Sequence, residues 1–313
     1  MENLTIKEEI RKFRWQFEGR QIPLGVGCAW IRTGGTEDDG TALMHRCYET
    51  GFRYFDTSND YGDSEQALGN FIAGVDRKSI FVATKATYRP EIDYTFDRFR
   101  EIFYNSFELL QTDYIDLYQV HDTEKYELNC PEVLPFLRER QKEGLIRYVG
   151  FGMRSITSHS LAVALHDIDS SLSYMDYNLI KLSAKPLIEL CKKNGVAFIN
   201  SSVLMFGVMK YKNFPEIFGD MCGAELAHMK AVYAMQCLCE RLGVDVIAAA
   251  MQYSLLNPDI DMTLNGIKRF SNLESTISAM RECIAPEHWA EIFALQRENP
   301  ILEIPDERNY RML

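Results

Sequence analysis

Hydrophobic positions along this chain fall into two alternating rhythms. Short, nearly unbroken apolar runs occur at LGVGC (24–28), FRYFD (52–56), SIFVATK (79–85), YIDLYQVH (114–121), RYVGFG (147–152), SLSYM (171–175), VAFINSS (196–202) and DMTLNG (261–266). Between them lie amphipathic stretches at 40–50, 64–74, 93–111, 131–143, 156–166, 182–194, 224–254 (broken near Gly243) and 271–281. Runs without in–out alternation predict strands buried on both faces, and a helix after each strand predicts that the strands are parallel.

Eight such units predict a (β/α)8 TIM barrel, a fold of about 250 residues plus additions. The additions are residues 1–23, a long segment at 203–223, an extra helix near 224–242 and a C-terminal extension at 282–313. KFRWQFEGRQIPL (12–24) predicts a hairpin turning at Glu18-Gly19, expected to plug one barrel end. No linker or low-complexity segment interrupts the pattern, so residues 1–313 read as a single domain. The competing doubly wound fold requires a glycine fingerprint after its first strand; Gly25-Val26-Gly27 is followed by Trp30 where the third glycine belongs.

Composition narrows the partners. A net charge of −11 disfavours nucleic acid and anionic membrane, while leaving room for a local basic patch toward one phosphorylated ligand. The 8 cysteines are scattered without a CxxC pair and the charged N-terminus lacks a secretory core, which predicts a reducing, cytoplasmic setting. No apolar run approaches membrane-spanning length. Cys237-Leu238-Cys239 lies in a helical stretch without partners at ligand spacing, so it reads as packed thiol, and no metal site is expected. Nothing in the pattern specifies an oligomeric state.

In such a barrel the C-terminal strand ends converge on one mouth. That rule gathers Asp56, Tyr61, Lys85 and His121. A phenol of ordinary acidity, near 10, is a poor proton donor at neutral pH, but an adjacent ammonium stabilises its phenolate. The ammonium in turn needs a counter-charge when buried, which Asp56 can provide. An imidazole can hold a carbonyl oxygen in line. The set is suited to protonating a carbonyl oxygen as hydride reaches its carbon, or to the reverse.

The pattern Gly51-x-Arg53-x-x-Asp56-Thr57-x-x-x-Tyr61-Gly62-x-Ser64-Glu65-x-x-Leu68-Gly69 closely resembles the aldo-keto reductase superfamily. So do Val82-Ala83-Thr84-Lys85, Asp113 through His121, and Glu143 through Gly150, and the match runs from about residue 20 to 281. The likeness implies a nicotinamide cofactor bound in extended form, Tyr61 as general acid/base, Lys85 and Asp56 tuning it, and His121 orienting substrate. His121-Asp122, Leu172-Ser173-Tyr174 and SSVLMFGVM (201–209) look most like the branch of L-galactose, L-fucose and D-threo-aldose 1-dehydrogenases.

The resemblance also implies cofactor contacts at Thr57, Gly152, Tyr174, Ser201, Ser202, Leu204, Gly266, Lys268, Arg269 and Asn272. Several positions depart from the family pattern. Gly152-Met153 replaces Ser-Asn, Tyr174 replaces a glutamine, Ser201 a stacking aromatic, and Ser275-Thr276 a Glu-Asn pair. Lys268 and Arg269 suit a 2′-phosphate and favour NADP, with NAD still open through the sugar-dehydrogenase likeness. Trp30, Asn59 and Asp60 are candidate substrate contacts. The expected activity is NAD(P)-dependent interconversion of a carbonyl or lactol with its alcohol or lactone on a sugar-like substrate. The alternatives are a general aldehyde reductase and a cofactor-binding regulatory subunit without turnover.

Overall fold

The computed structural model describes residues 4–33, 39–87, 95–121, 126–153, 155–165, 168–210 and 223–298. After helix α1 (Ile6–Lys12), strands β1 (Trp15–Phe17) and β2 (Arg20–Ile22) pair antiparallel around Glu18-Gly19, as the sequence predicts. The apolar runs then supply β3 (Leu24–Gly27), β4 (Tyr54–Asp56), β5 (Phe81–Thr87), β6 (Ile115–His121), β7 (Ile146–Gly152), β8 (Ser170–Tyr174), β9 (Ala197–Ser201) and β10 (Met262–Gly266). These eight strands are parallel and close into a barrel in chain order, β10 pairing with β3. The architecture is the expected (β/α)8 barrel.

The α-helices that follow are α2 (Gly40–Glu49), α3 (Ser64–Ile72), α4 (Phe96–Leu110), α5 (Tyr126–Lys142), α6 (Ile156–Ala164), α7 (Lys185–Asn194), α8 (Gly223–Leu242), α9 (Val246–Leu255), α10 (Phe270–Arg281) and α11 (Pro286–Glu298), with short 3-10 turns at Arg77–Ser79 and Met205–Lys210. Their starts follow from local chemistry. Asp39, Thr95, Ser155 and Asp245 each accept a backbone N–H of the following helix, satisfying donors that have no partner within it. Gly243, with φ +67°, separates α8 from α9 at the expected break.

Strand parity explains the unbroken runs. Tyr54, Phe81, Ala83, Leu117, Leu172, Ala197, Ile199, Met262 and Leu264 fill the interior, while alternate residues such as Val26, Phe55, Val82, Tyr118 and Phe198 join the core shared with the helices. Both faces are dry, so both are apolar.

One expectation is corrected. The hairpin is not the plug: the interior cluster is completed by Ile6, Ile10 and Phe13, from α1 and the residue after it. Trp15 instead stacks on Phe52 (centroids 4.3 Å, interplanar 9°) and donates its indole N–H to the Thr50 carbonyl, which places the hairpin in the outer core. Helix α1 is anchored by Arg147 to Glu9 (2.8 Å) and by the Tyr148 hydroxyl to the Leu4 carbonyl (2.9 Å).

Two boundaries also differ. Strand β5 continues to Thr87, so Lys85 lies inside it rather than at its end. Helix α5 starts at Tyr126 and contains Pro131 and Pro135. One turn apart, both prolines lie on its exposed side, where water can satisfy carbonyls that lose an N–H donor. Of the segments 28–36, 122–130, 203–223 and 282–313, residues 34–36, 122–125, 211–222 and 299–313 lie outside the described residues, Asp122 among them.

Candidate active site

The parity that fills the barrel also delivers its polar layer. Two residues beyond Tyr54 comes Asp56, two beyond Ala83 comes Lys85, and two and four beyond Leu117 come Gln119 and His121. Register sets them side by side: Lys85 pairs across the ladder with Gln119, and His121 with Gly152.

Lys85 is 1% exposed, so its ammonium requires compensation. It donates to one carboxylate oxygen of Asp56 and to the Thr57 carbonyl at 2.8 Å. The other Asp56 oxygen accepts from the Gln119 amide Nε2 at 3.1 Å. Burial pushes the Asp56 carboxyl above the usual carboxylate range, opposed by Lys85 and by the Gln119 hydrogen bond. Gly152 gives the lysine its room: a Cβ there would lie 3.1 Å from Lys85 Cδ and 3.3 Å from Cε.

Tyr61 is held by a turn, its N–H donating to the Ser58 carbonyl at 3.1 Å. The Lys85 ammonium stands 5.1 Å from the Tyr61 ring centroid, and the His121 ring meets Tyr61 edge-on at 5.8 Å between centroids, interplanar 90°. The four predicted chemical residues therefore share one site. His121 Nδ1 lies 3.3 Å from the buried Ser58 hydroxyl, which also approaches the Lys85 carbonyl at 3.4 Å. Asp63 ties the loop carrying Tyr61 to Thr33 after β3, by hydrogen bonds to its backbone and side chain.

Sequence reading missed Gln119 and Ser58. Gln119 carried a usable signal, being a polar residue at an inward position two before His121. Ser58, in a loop, carried none.

The other predicted residues divide into groups. The Thr57 side chain is buried against the Ser64 hydroxyl (2.8 Å), so Thr57 serves the site through its carbonyl. Asn59 and Asp60 flank Tyr61, with the Asn59 amide donating to Asp60 at 3.3 Å. Tyr174 and Ser201, register partners at the ends of β8 and β9, are half-buried, as are Ser202 and Leu204 just beyond. Gly266, which ends β10, and Lys268 and Arg269 just beyond it are exposed. Asn272 accepts the Lys268 backbone N–H at 3.2 Å, and Thr276 accepts from Asn265 at 2.8 Å, so the departure at 275–276 builds an internal bond. Trp30, 52% exposed, lies beside Gly266 and carries the Lys268 ammonium 5.7 Å from its ring centroid. The structure thus joins Trp30 to the basic turn.

These residues offer a nicotinamide dinucleotide a coherent donor set: two exposed cations at the start of a twelve-residue helix, hydroxyls at the end of β9, and open glycine backbone at Gly266. Among the described residues, no group of three or more His, Cys, Asp or Glu is placed to hold a metal. No described helix is long and apolar enough to cross a membrane.

Comparison with known proteins bears on the family and the fold. The model described as "Aldo/keto reductase family" matches residues 23–297. The chain is 30% identical to an L-galactose dehydrogenase of Arabidopsis thaliana over 261 residues, 79% of each chain. It is 25% identical to a D-threo-aldose 1-dehydrogenase of a Pseudomonas species, covering 88% of this chain and 94% of that one. Among solved structures, the holo form of aldo-keto reductase AKR11C1 from Bacillus halodurans superposes with a TM-score of 0.72 at 21% identity, covering 95% of this chain and 98% of that one.

Proposed function

The chain belongs to the aldo/keto reductase family, and from that premise we propose that it is an NAD(P)-dependent oxidoreductase acting on a small polyhydroxylated, sugar-like substrate. In this reading it interconverts a carbonyl or lactol carbon with its alcohol or lactone partner. The observation that carries the reading is the buried Lys85 ammonium, fixed by Asp56 and Thr57 and facing Tyr61, with His121 edge-on beside the same ring. Relatives named for L-galactose and D-threo-aldose support the substrate class.

Tyr61 gives its hydroxyl proton to the substrate oxygen in reduction and takes it back in oxidation. Lys85 stabilises the negative charge left on the phenol oxygen. Asp56 keeps that ammonium in place, and His121 holds the substrate oxygen in line with Tyr61. Tyr174, Ser201, Ser202, Leu204, Gly266, Lys268, Arg269 and Asn272 would hold the dinucleotide, which when bound would supply or accept the hydride. Lys268 and Arg269 favour NADP through its 2′-phosphate. Trp30, Asn59 and Asp60 border the substrate. We assign the enzyme to the cytoplasm, in keeping with the free thiols of Cys28, Cys47, Cys191, Cys237, Cys239 and Cys283.

Turnover of an aldose panel with NADP and with NAD tests the reading. Tyr61→Phe should lower kcat by about a hundredfold to ten-thousandfold while leaving nucleotide affinity unchanged. Unchanged kcat removes Tyr61 from the chemistry, and turnover of simple aldehydes alone replaces the sugar-like substrate with an apolar one.

A further inference from the structure

Gln119 is fully buried in β6, facing the barrel interior from one inward position below His121. Its Nε2 donates to Asp56, and its Oε1 has no hydrogen-bond partner among the described residues. The orientation of the amide follows from chemistry: an ionised carboxylate only accepts, so the NH2 end must face it. The free oxygen lies beside Gly152 and the Lys85 methylenes, 3.6 Å from where a Gly152 Cβ would sit. A side chain kept for packing alone would be apolar here, because an unpaired buried acceptor is destabilising. What the amide contributes is its other end, which fills the Asp56 oxygen that Lys85 leaves open.

Resting on the reading of Tyr61 as proton donor, we propose that Gln119 is a positioning residue for that step. It holds Asp56 ionised and fixed in orientation, so that Lys85 stays aimed at Tyr61. Without it, one oxygen of a buried carboxylate has no donor, the neutral acid gains ground, and Lys85 loses its counter-charge. The titratable groups around Asp56 are Lys85 of β5, Tyr54 of β4 and the Cys28 thiol after β3. Glu65 of α3 acts on Lys85 from behind, and Tyr61 and His121 stand at the mouth. Burial pushes the Tyr54 phenol and the Cys28 thiol well above their ordinary ranges, so both stay neutral across the working pH.

The test is the pH profile of kcat for Gln119→Met and Gln119→Glu against wild type, with nucleotide affinity and thermal midpoint measured alongside. Gln119→Met, close in volume, removes the donor: kcat should fall about tenfold, and the acid limb should move up by roughly one pH unit, the amount one hydrogen bond to a charged group supplies. Gln119→Glu keeps the shape but adds a second carboxyl, so its acid limb should move further in the same direction. Nucleotide affinity should stay at the wild-type value in both. A wild-type acid limb in the variants that fold overturns the inference, as does a lowered midpoint with no change in the profile. Tyr61→Phe separates the two claims: if it abolishes turnover while the Gln119 variants keep the wild-type profile, the Tyr61 reading stands and the role of Gln119 falls.

Discussion

Lys268 shows how one side chain can be spared for a ligand. Its backbone N–H is taken by Asn272, which shapes the turn, while its exposed ammonium rests over the exposed Trp30 ring. Replacing Lys268 and Arg269 together by alanine should therefore weaken NADP by about 2 kcal/mol, roughly thirtyfold, with NAD nearly unchanged. Titrating both nucleotides into the double variant checks this, and equal loss for both places the 2′-phosphate elsewhere. At this scale the sequence was legible where chemistry and strand ends coincide, as at Asp56 and His121, and in the loop after β4 that carries Tyr61. It was opaque where a residue acts through its backbone or a neighbour. Nothing in the word Thr57 says that its carbonyl, rather than its hydroxyl, meets Lys85, and nothing in Ser58 says that it will reach His121 across 63 positions of sequence.

Helix α1 is the element that pattern reading passed over. Seven residues are too few for a periodicity to declare itself, yet Thr5-Ile6-Lys7-Glu8 carries the reciprocal capping box that starts it, and Ile6 and Ile10 lie one turn apart on its buried face. The eight barrel strands were readable because burial on both faces leaves an unbroken apolar run. The role of the hairpin was not, since packing partners such as Phe52 for Trp15 are chosen by tertiary structure. Ile10 is fully buried in the interior cluster, so Ile10→Ala should cost about 2–5 kcal/mol. The expected result is a lower urea midpoint with kcat unchanged in the absence of denaturant, because α1 sits at the barrel end opposite the mouth. A fall in kcat at full folding would show that the stopper also shapes the site.

For the molecule as a whole, two buried histidines set a response to acid. The His159 Nε2–H donates to the Met153 carbonyl at 3.0 Å, so its Nδ1 accepts from Ser171 at 2.8 Å and the ring is neutral. Burial pushes its pKa down to about 4. His228 is likewise pushed down to about 4, by burial and then by the Lys181 charge. Below about pH 6.5 the unfolded chain takes up protons that these folded rings refuse. Their stability contribution is therefore complete above that pH and is lost as pH falls toward 4, amounting to about 2 kcal/mol each at pH 5. The carboxyls of Asp56 and Glu65, raised by burial, act in the opposite sense. Comparing thermal midpoints at pH 7 and pH 5 for wild type and His159→Gln isolates the histidine: the variant should lose less on acidification, and equal losses would refute the assignment.

The α1 stopper has one more consequence. With the barrel interior filled by side chains and its floor closed by α1, the polar layer opens toward the mouth, and two guests that shared this doorway would have to queue. Whichever of them rests deeper has to arrive first and depart last.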